Sequence, residues 1–164
     1  MSDDKEHFLE QVAALKDELS GLLDGMDYCL DWKDSEEEWS IREVVCHLLD
    51  TPPGGMATVL KQVLEGNSEE IIIHSSLTNL TPERKSKDLG DLRQDMRELL
   101  EQVESSLSAV SDSELQASTA PVHLVRSDVH EERTAGGLVE RALLGHWREH
   151  LGQIAEIRQA LGFG

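Results

Sequence analysis

The chain has 164 residues, 33 Asp and Glu against 15 Lys and Arg, and a formal net charge of -18, a length that suits one domain (1–164) able to bury roughly 70% of its unfolded surface. Residues 1–50 hold 15 acids and 4 bases and the remainder 18 and 11, so neither part offers phosphates a basic face, and nucleic acid is excluded as a partner. No apolar run is long enough to span a bilayer, the Met1–Glu6 start is acidic where a leader is basic, and Cys29 and Cys46 are too few for a disulfide scaffold, so a cytoplasmic protein with reduced thiols and no membrane partner is expected.

Phe8, Val12, Leu15, Leu19 and Leu22 recur at steps of four and three, which predicts an amphipathic helix over residues 4–24 closed by Gly25. Residues 26–39 mix Met26, Tyr28, Leu30 and Trp32 with acids and read as a loop whose apolar residues tuck onto the helices. Ser40 with Glu43 three residues on forms a capping box, Trp39 can staple against Val44, and a helix is expected over 40–65, broken near Pro52–Gly55 by a kink or a turn. Residues 67–80 are irregular, with Ile71–Ile73 either a short extended piece or an apolar lid. Thr81–Pro82 opens a third helix carrying Leu89, Leu92, Met96, Leu99, Leu100, Val103 and Leu107, expected over 82–111. Residues 111–133, rich in Ser, Asp and Thr, read as a long loop before the last helix, which Thr134 caps and which runs over 134–161. With Phe163 the chain has only six aromatics, so the interior is built from aliphatic side chains, which favours helix packed on helix.

Val139, Leu143, His146, His150, Ile154, Ile157 and Leu161 share that last helix's apolar stripe. Four residues apart, His146 and His150 bring their Cβ atoms to roughly 5–6 Å on one face, near enough for two imidazoles to chelate one ion. Buried imidazoles need partners for their ring nitrogens, and a metal would supply one to both. His47, on or beside the buried stripe of the second helix, is a candidate third ligand. His7, His74, His123 and His130 carry no motif and are expected in solvated or local hydrogen-bonding roles. His146–His150 also fits the H-x-x-E-H protease pattern, but a small chain without readable β-structure does not suit that reading.

Two blocks, Trp39-Ser40-Ile41-Arg42-Glu43-Val44-Val45-Cys46-His47-Leu48 and Gly145-His146-Trp147-Arg148-Glu149-His150-Leu151-Gly152-Gln153-Ile154, resemble the DinB/YfiT-like superfamily of metalloenzymes. The resemblance implies an all-α fold, a four-helix bundle of up-down-down-up topology, with a divalent ion held by His47, His146 and His150 in an open cleft. It implies nickel or zinc as the metal, and among activities either thiol S-transfer with a low-molecular-weight thiol, to which the resemblance gives a slight preference, or hydrolysis. A non-catalytic metal-binding bundle is the alternative. Gln153, one turn beyond His150, and Glu43, one turn before His47, are candidates to orient the ligands, although the capping box already accounts for Glu43. No catalytic base is assigned. A small-molecule substrate is the expected partner, with a homodimer left open; if the substrate or thiol is anionic, only local residues such as Arg126, Arg133 or Arg158 offset the surrounding acids.

Overall fold

The structure, a computed structural model, describes residues 4–67 and 69–162. The first half of the acidic Met1–Glu6 start and Phe163 lie outside the described residues.

Helix α1 (Asp4–Leu23) buries Phe8, Val12, Leu15, Leu19 and Leu23, and Gly25 at φ 77° ends it. The following loop tucks in Met26, Cys29 and Leu30, but Tyr28 is 75% exposed, contrary to expectation, because the short 3-10 turn Asp27–Cys29, with three residues per turn, turns only Cys29 inward. Ser40 and Glu43 close the expected capping box on α2 (Ile41–Leu49). The expected 40–65 helix is two helices, α2 and α3 (Met56–Leu64), separated by a cis Thr51–Pro52 bond and by Gly54 and Gly55, so the break is a turn. Gly55 sits at φ 87°, and a Cβ there would lie 2.8 Å from the Leu49 carbonyl oxygen, so the close return of the chain depends on glycine.

The Thr81 cap starts only a four-residue helix, α4 (Pro82–Lys85); Asp88 then accepts from the Asp91 N–H and caps the long helix α5 (Leu89–Ser108). Two competing caps within one apolar stripe divide what the period alone joins.

The stretch 111–133 is not the long loop expected. It contains α6 (Asp112–Ala117), with its own Ser111–Glu114 capping box, and a hairpin of β2 (Thr119–Leu124) and β3 (Val129–Thr134). Ile71–Ile73 is a strand, β1, parallel to β2 in a three-stranded sheet of order β1-β2-β3. Pro121 inside β2 and the charges of β3 hide the alternation from a periodicity reading, and the strand that completes the sheet lies some fifty residues earlier.

Thr134 caps the last helical rod as expected. It comprises α7 (Ala135–Leu138), a π-helical stretch (Val139–Gly145) and α8 (His146–Ala160) without interruption. Helix α1 packs on α5 and α8, α2 on the same two, and α3 on α5 and α7, so that, with α2 and α3 in succession as one arm and the α7–α8 rod as another, α1 and α5 complete a four-helix bundle with the small sheet beside it. Each buried Leu or Val in it contributes about 1.5–3 kcal/mol relative to exposure. Cys29 and Cys46 are both buried and free. Among the described residues no helix is long and apolar enough to cross a membrane.

Candidate metal centre

The α2 capping box fixes where that helix starts and therefore which way His47 faces, two turns later. His47 is fully buried. His146 and His150 open the first turns of α8, immediately after the π-helical stretch. Wide i→i+5 turns take up more residues per turn than an α-helix, so the buried line runs Val139, Leu143, Trp147, Leu151, Ile154. The two histidines therefore flank that line, half-buried, rather than lying on it as the uniform helical period suggests.

The three imidazoles converge by their Nε2 atoms. His146 Nε2 lies 3.0 Å from His47 Nε2 and 3.1 Å from His150 Nε2. The Nδ1–H of His47 donates to the Leu77 carbonyl at 2.6 Å, and that of His150 to Gln153 Oε1 at 2.8 Å. A neutral ring with its proton on Nδ1 carries a lone pair on Nε2. Two lone pairs thus face His146 Nε2, which has at most one proton to offer, so hydrogen bonding leaves at least one nitrogen unmatched. A cation matches all three, and nitrogens about 2.0–2.1 Å from one ion stand about 3 Å apart. The donor set fits a divalent transition metal of the imidazole-preferring kind.

Electrostatics favour the neutral form of His146 and His47. Burial pushes His146 down to about 3, and the neighbouring His150 and His47 add to the effect. Burial also holds His47 below its ordinary value, outweighing the Leu77 carbonyl, with His150 adding to the downward push. Neutral imidazole is the ligating form.

A cleft of about 280 Å³ opens beside His146, walled by Thr51, Ile73, Leu124, Arg133, Arg141 and Glu149. Trp39 covers the other side, 5.0 Å from the His47 ring and stacked at 6.0 Å on His150.

A profile of the DinB superfamily matches residues 5–154. The chain belongs to the DinB superfamily. The DinB chain also resembles a solved structure described as "YfiT from Bacillus subtilis is a probable metal-dependent hydrolase with an unusual four-helix bundle topology", with a TM-score of 0.76 at 17% identity over 100% of this chain and 91% of that one. At that identity the likeness speaks for the fold. No curated protein sequence matches significantly.

Of the residues singled out from the sequence, the DinB fold brings His47, His146, His150 and Gln153 together. Glu43 stands apart from the imidazoles: its carboxylate accepts from the Ser40 N–H at 3.0 Å and meets Lys33 Nζ at 3.0 Å. Burial pushes its pKa up, but the Ser40 N–H and the Lys33 ammonium outweigh that and hold it below the ordinary value. Arg126 is in the hairpin turn, Arg158 donates to the Leu22 and Asp24 carbonyls at the end of α1, and Arg133 lines the cleft.

Sequence reasoning missed four contributors: Leu77 through its carbonyl, Thr51, Asn79 and Trp39. Thr51 Oγ1 lies 3.2 Å from His47 Nδ1, and the Asn79 amide donates to Thr51 Oγ1 at 3.1 Å and to the His47 carbonyl at 3.3 Å. Asn79, at φ 58°, holds the irregular 74–80 loop where Leu77 can reach His47. A backbone carbonyl leaves no mark in a sequence; only Trp39, next to the capping box, carried a usable signal.

A second group, Glu70, His123 and His130, lies on the outer face of the sheet. There His123 and His130 stack with centroids 4.0 Å apart and planes 8° from parallel, bonding Asp128 at 3.0 Å and Glu70 at 3.2 Å respectively. The ligand atoms of this group lie within 4.8 Å of one another, but each imidazole is already engaged by a carboxylate on an open face. These are local hydrogen-bonding roles.

Proposed function

We propose that this DinB protein is a metal-dependent hydrolase in which His47, His146 and His150 hold one divalent transition ion. The observation that carries the reading is the meeting of three Nε2 atoms, two with their lone pairs fixed inward by Leu77 and Gln153, beside an open cleft. A three-ligand site next to a cleft leaves room for substrate, whereas a purely structural site is closed by a fourth protein ligand. The Bacillus subtilis neighbour, described as a probable metal-dependent hydrolase, supports the same direction.

An ion bound there would act as a Lewis acid and lower the pKa of a water molecule toward about 7. Nitrogen donors favour zinc or nickel over magnesium or calcium. The protein's own part is to orient and to exclude. Leu77 and Thr51 fix the His47 ring, Gln153 fixes His150, and the Trp39 indole keeps solvent off the imidazole faces. Glu149, which lines the cleft together with His146, would take up a proton at its carboxylate.

The test loads the purified chain with zinc, nickel or cobalt and assays esters, amides and phosphoesters, each with and without a low-molecular-weight thiol. Metal-dependent hydrolysis that His47→Ala abolishes and Glu149→Gln lowers at unchanged metal content is the expected result. Conjugation of the thiol without hydrolysis would make the chain a transferase. A loaded protein inert to every substrate would leave a non-catalytic metal-binding bundle.

A further inference from the structure

Arg133 is an unusual residue for the inward face of a sheet. The β2–β3 register sets it opposite Ala120, whose small side chain leaves room for a guanidinium, and only 7% of the Arg133 side chain is exposed. A buried guanidinium requires acceptors for its N–H groups. Its Nε donates to Glu131 Oε2 at 3.0 Å, yet no described residue accepts from Nη1 or Nη2. Neither is sealed from solvent: among the described residues the buried polar side-chain atoms left without a partner are Ser75 Oγ and Trp147 Nε1. Arg133 lines the same cleft as His146.

The free donors of this fork, rather than an excess of positive charge, leave it in need of a partner. Glu131 Oε2 also accepts from Arg141 Nη1 at 3.1 Å, so one carboxylate serves two guanidinium groups. The Arg133 hydrogen bond and the charges of both arginines hold Glu131 below its ordinary pKa, ionised at neutral pH. Glu149 lines the same cleft without pairing to either arginine. With Glu131 and Glu149 the two arginines leave the cleft neutral, which in a chain of net charge -18 spares it the repulsion an anion meets elsewhere on the surface.

We propose that this cleft recognises a substrate by an oxyanion group, a carboxylate or a phosphate, gripped by the Nη pair of Arg133 with Arg141 at the rim. A planar guanidinium offers two parallel N–H donors matched to such a group. The placing of the reacting bond toward His146 rests on the hydrolase reading above; the anion site itself does not.

The experiment uses metal-free protein at constant ionic strength, with inorganic phosphate and acetate in separate titrations and chloride as control, following the arginine Nε–H resonances by NMR. A saturable shift of the Arg133 signal with one anion and not with chloride is expected, and the responding anion identifies the group. Arg141→Gln, at a side chain 58% exposed and therefore safe for folding, should weaken that binding about tenfold. Arg133→Lys should lose the bidentate grip while keeping the charge. Metal uptake by the same variants, measured in a separate loading, should not change, so a failed metal centre and a failed anion site give different results. No saturable shift in the parent protein, or identical binding in both variants, would overturn the proposal and leave Arg133 as a latch on the hairpin.

Discussion

An imidazole fixed in one tautomer is a different reagent from one in water, and the histidines of the triad are prepared in different ways. His47 is held by a backbone carbonyl and His150 by the Gln153 amide, and both turn an Nε2 lone pair toward His146 Nε2. Removing the amide with Gln153→Leu frees the His150 tautomer and should weaken metal binding about 10–100-fold while leaving helical content unchanged, as competition against a chelator would measure. The depressed pKa values also set a pH dependence. Because His146 and His47 resist protonation in the folded state, the unfolded chain binds more protons as acid is added. Their contribution to stability is present above about pH 6.5 and is lost as pH falls toward His146's folded value of about 3. The urea midpoint of metal-free protein should therefore fall between pH 7 and about 5, before most carboxylates titrate, and His146→Asn should flatten that slope.

Among the elements, α2 carries the most, because its cap orients His47 and its C-terminal turn delivers Thr51. Ser40 accepts from the Glu43 N–H at 3.2 Å while Glu43 returns the bond, so Ser40→Ala should cost about 1 kcal/mol in chemical denaturation. Gly55→Ala should cost about 1–3 kcal/mol, since a Cβ would meet the Leu49 carbonyl at a φ that only glycine adopts freely. The π-helical stretch has the opposite character: it forms no cap, and its role is to set the angle at which α8 presents His146 and His150 toward α2.

At the scale of the whole molecule the net charge of -18 opposes compaction. The bundle buries aliphatic side chains from all four helical segments, and its favourable packing is offset by repulsion among surface carboxylates. Moderate sodium chloride screens that repulsion, so thermal scans of the metal-free protein should show the melting temperature rising with salt.

The amphipathic stripes, the Ser40, Thr81 and Thr134 start signals and the i, i+4 histidine pair determined much of this protein from local sequence. Helical period and capping are written within a few residues, so the bundle and the candidacy of His47, His146 and His150 are legible in the chain itself. The division at Asp88, the parallel pairing of Ile71–Ile73 with β2 and the π-helical turns are not, because each depends on a competition between local signals or on a partner distant in the chain. The surroundings of the triad belong to the same class. Leu77 contributes a backbone atom, Asn79 acts through a loop without period, and Arg133 enters the cleft only because β3 pairs in one register. Local hydrogen bonding and apolar spacing choose helices, whereas the atoms that tune a buried imidazole or face a cleft are set by long-range packing, which only the folded chain decides.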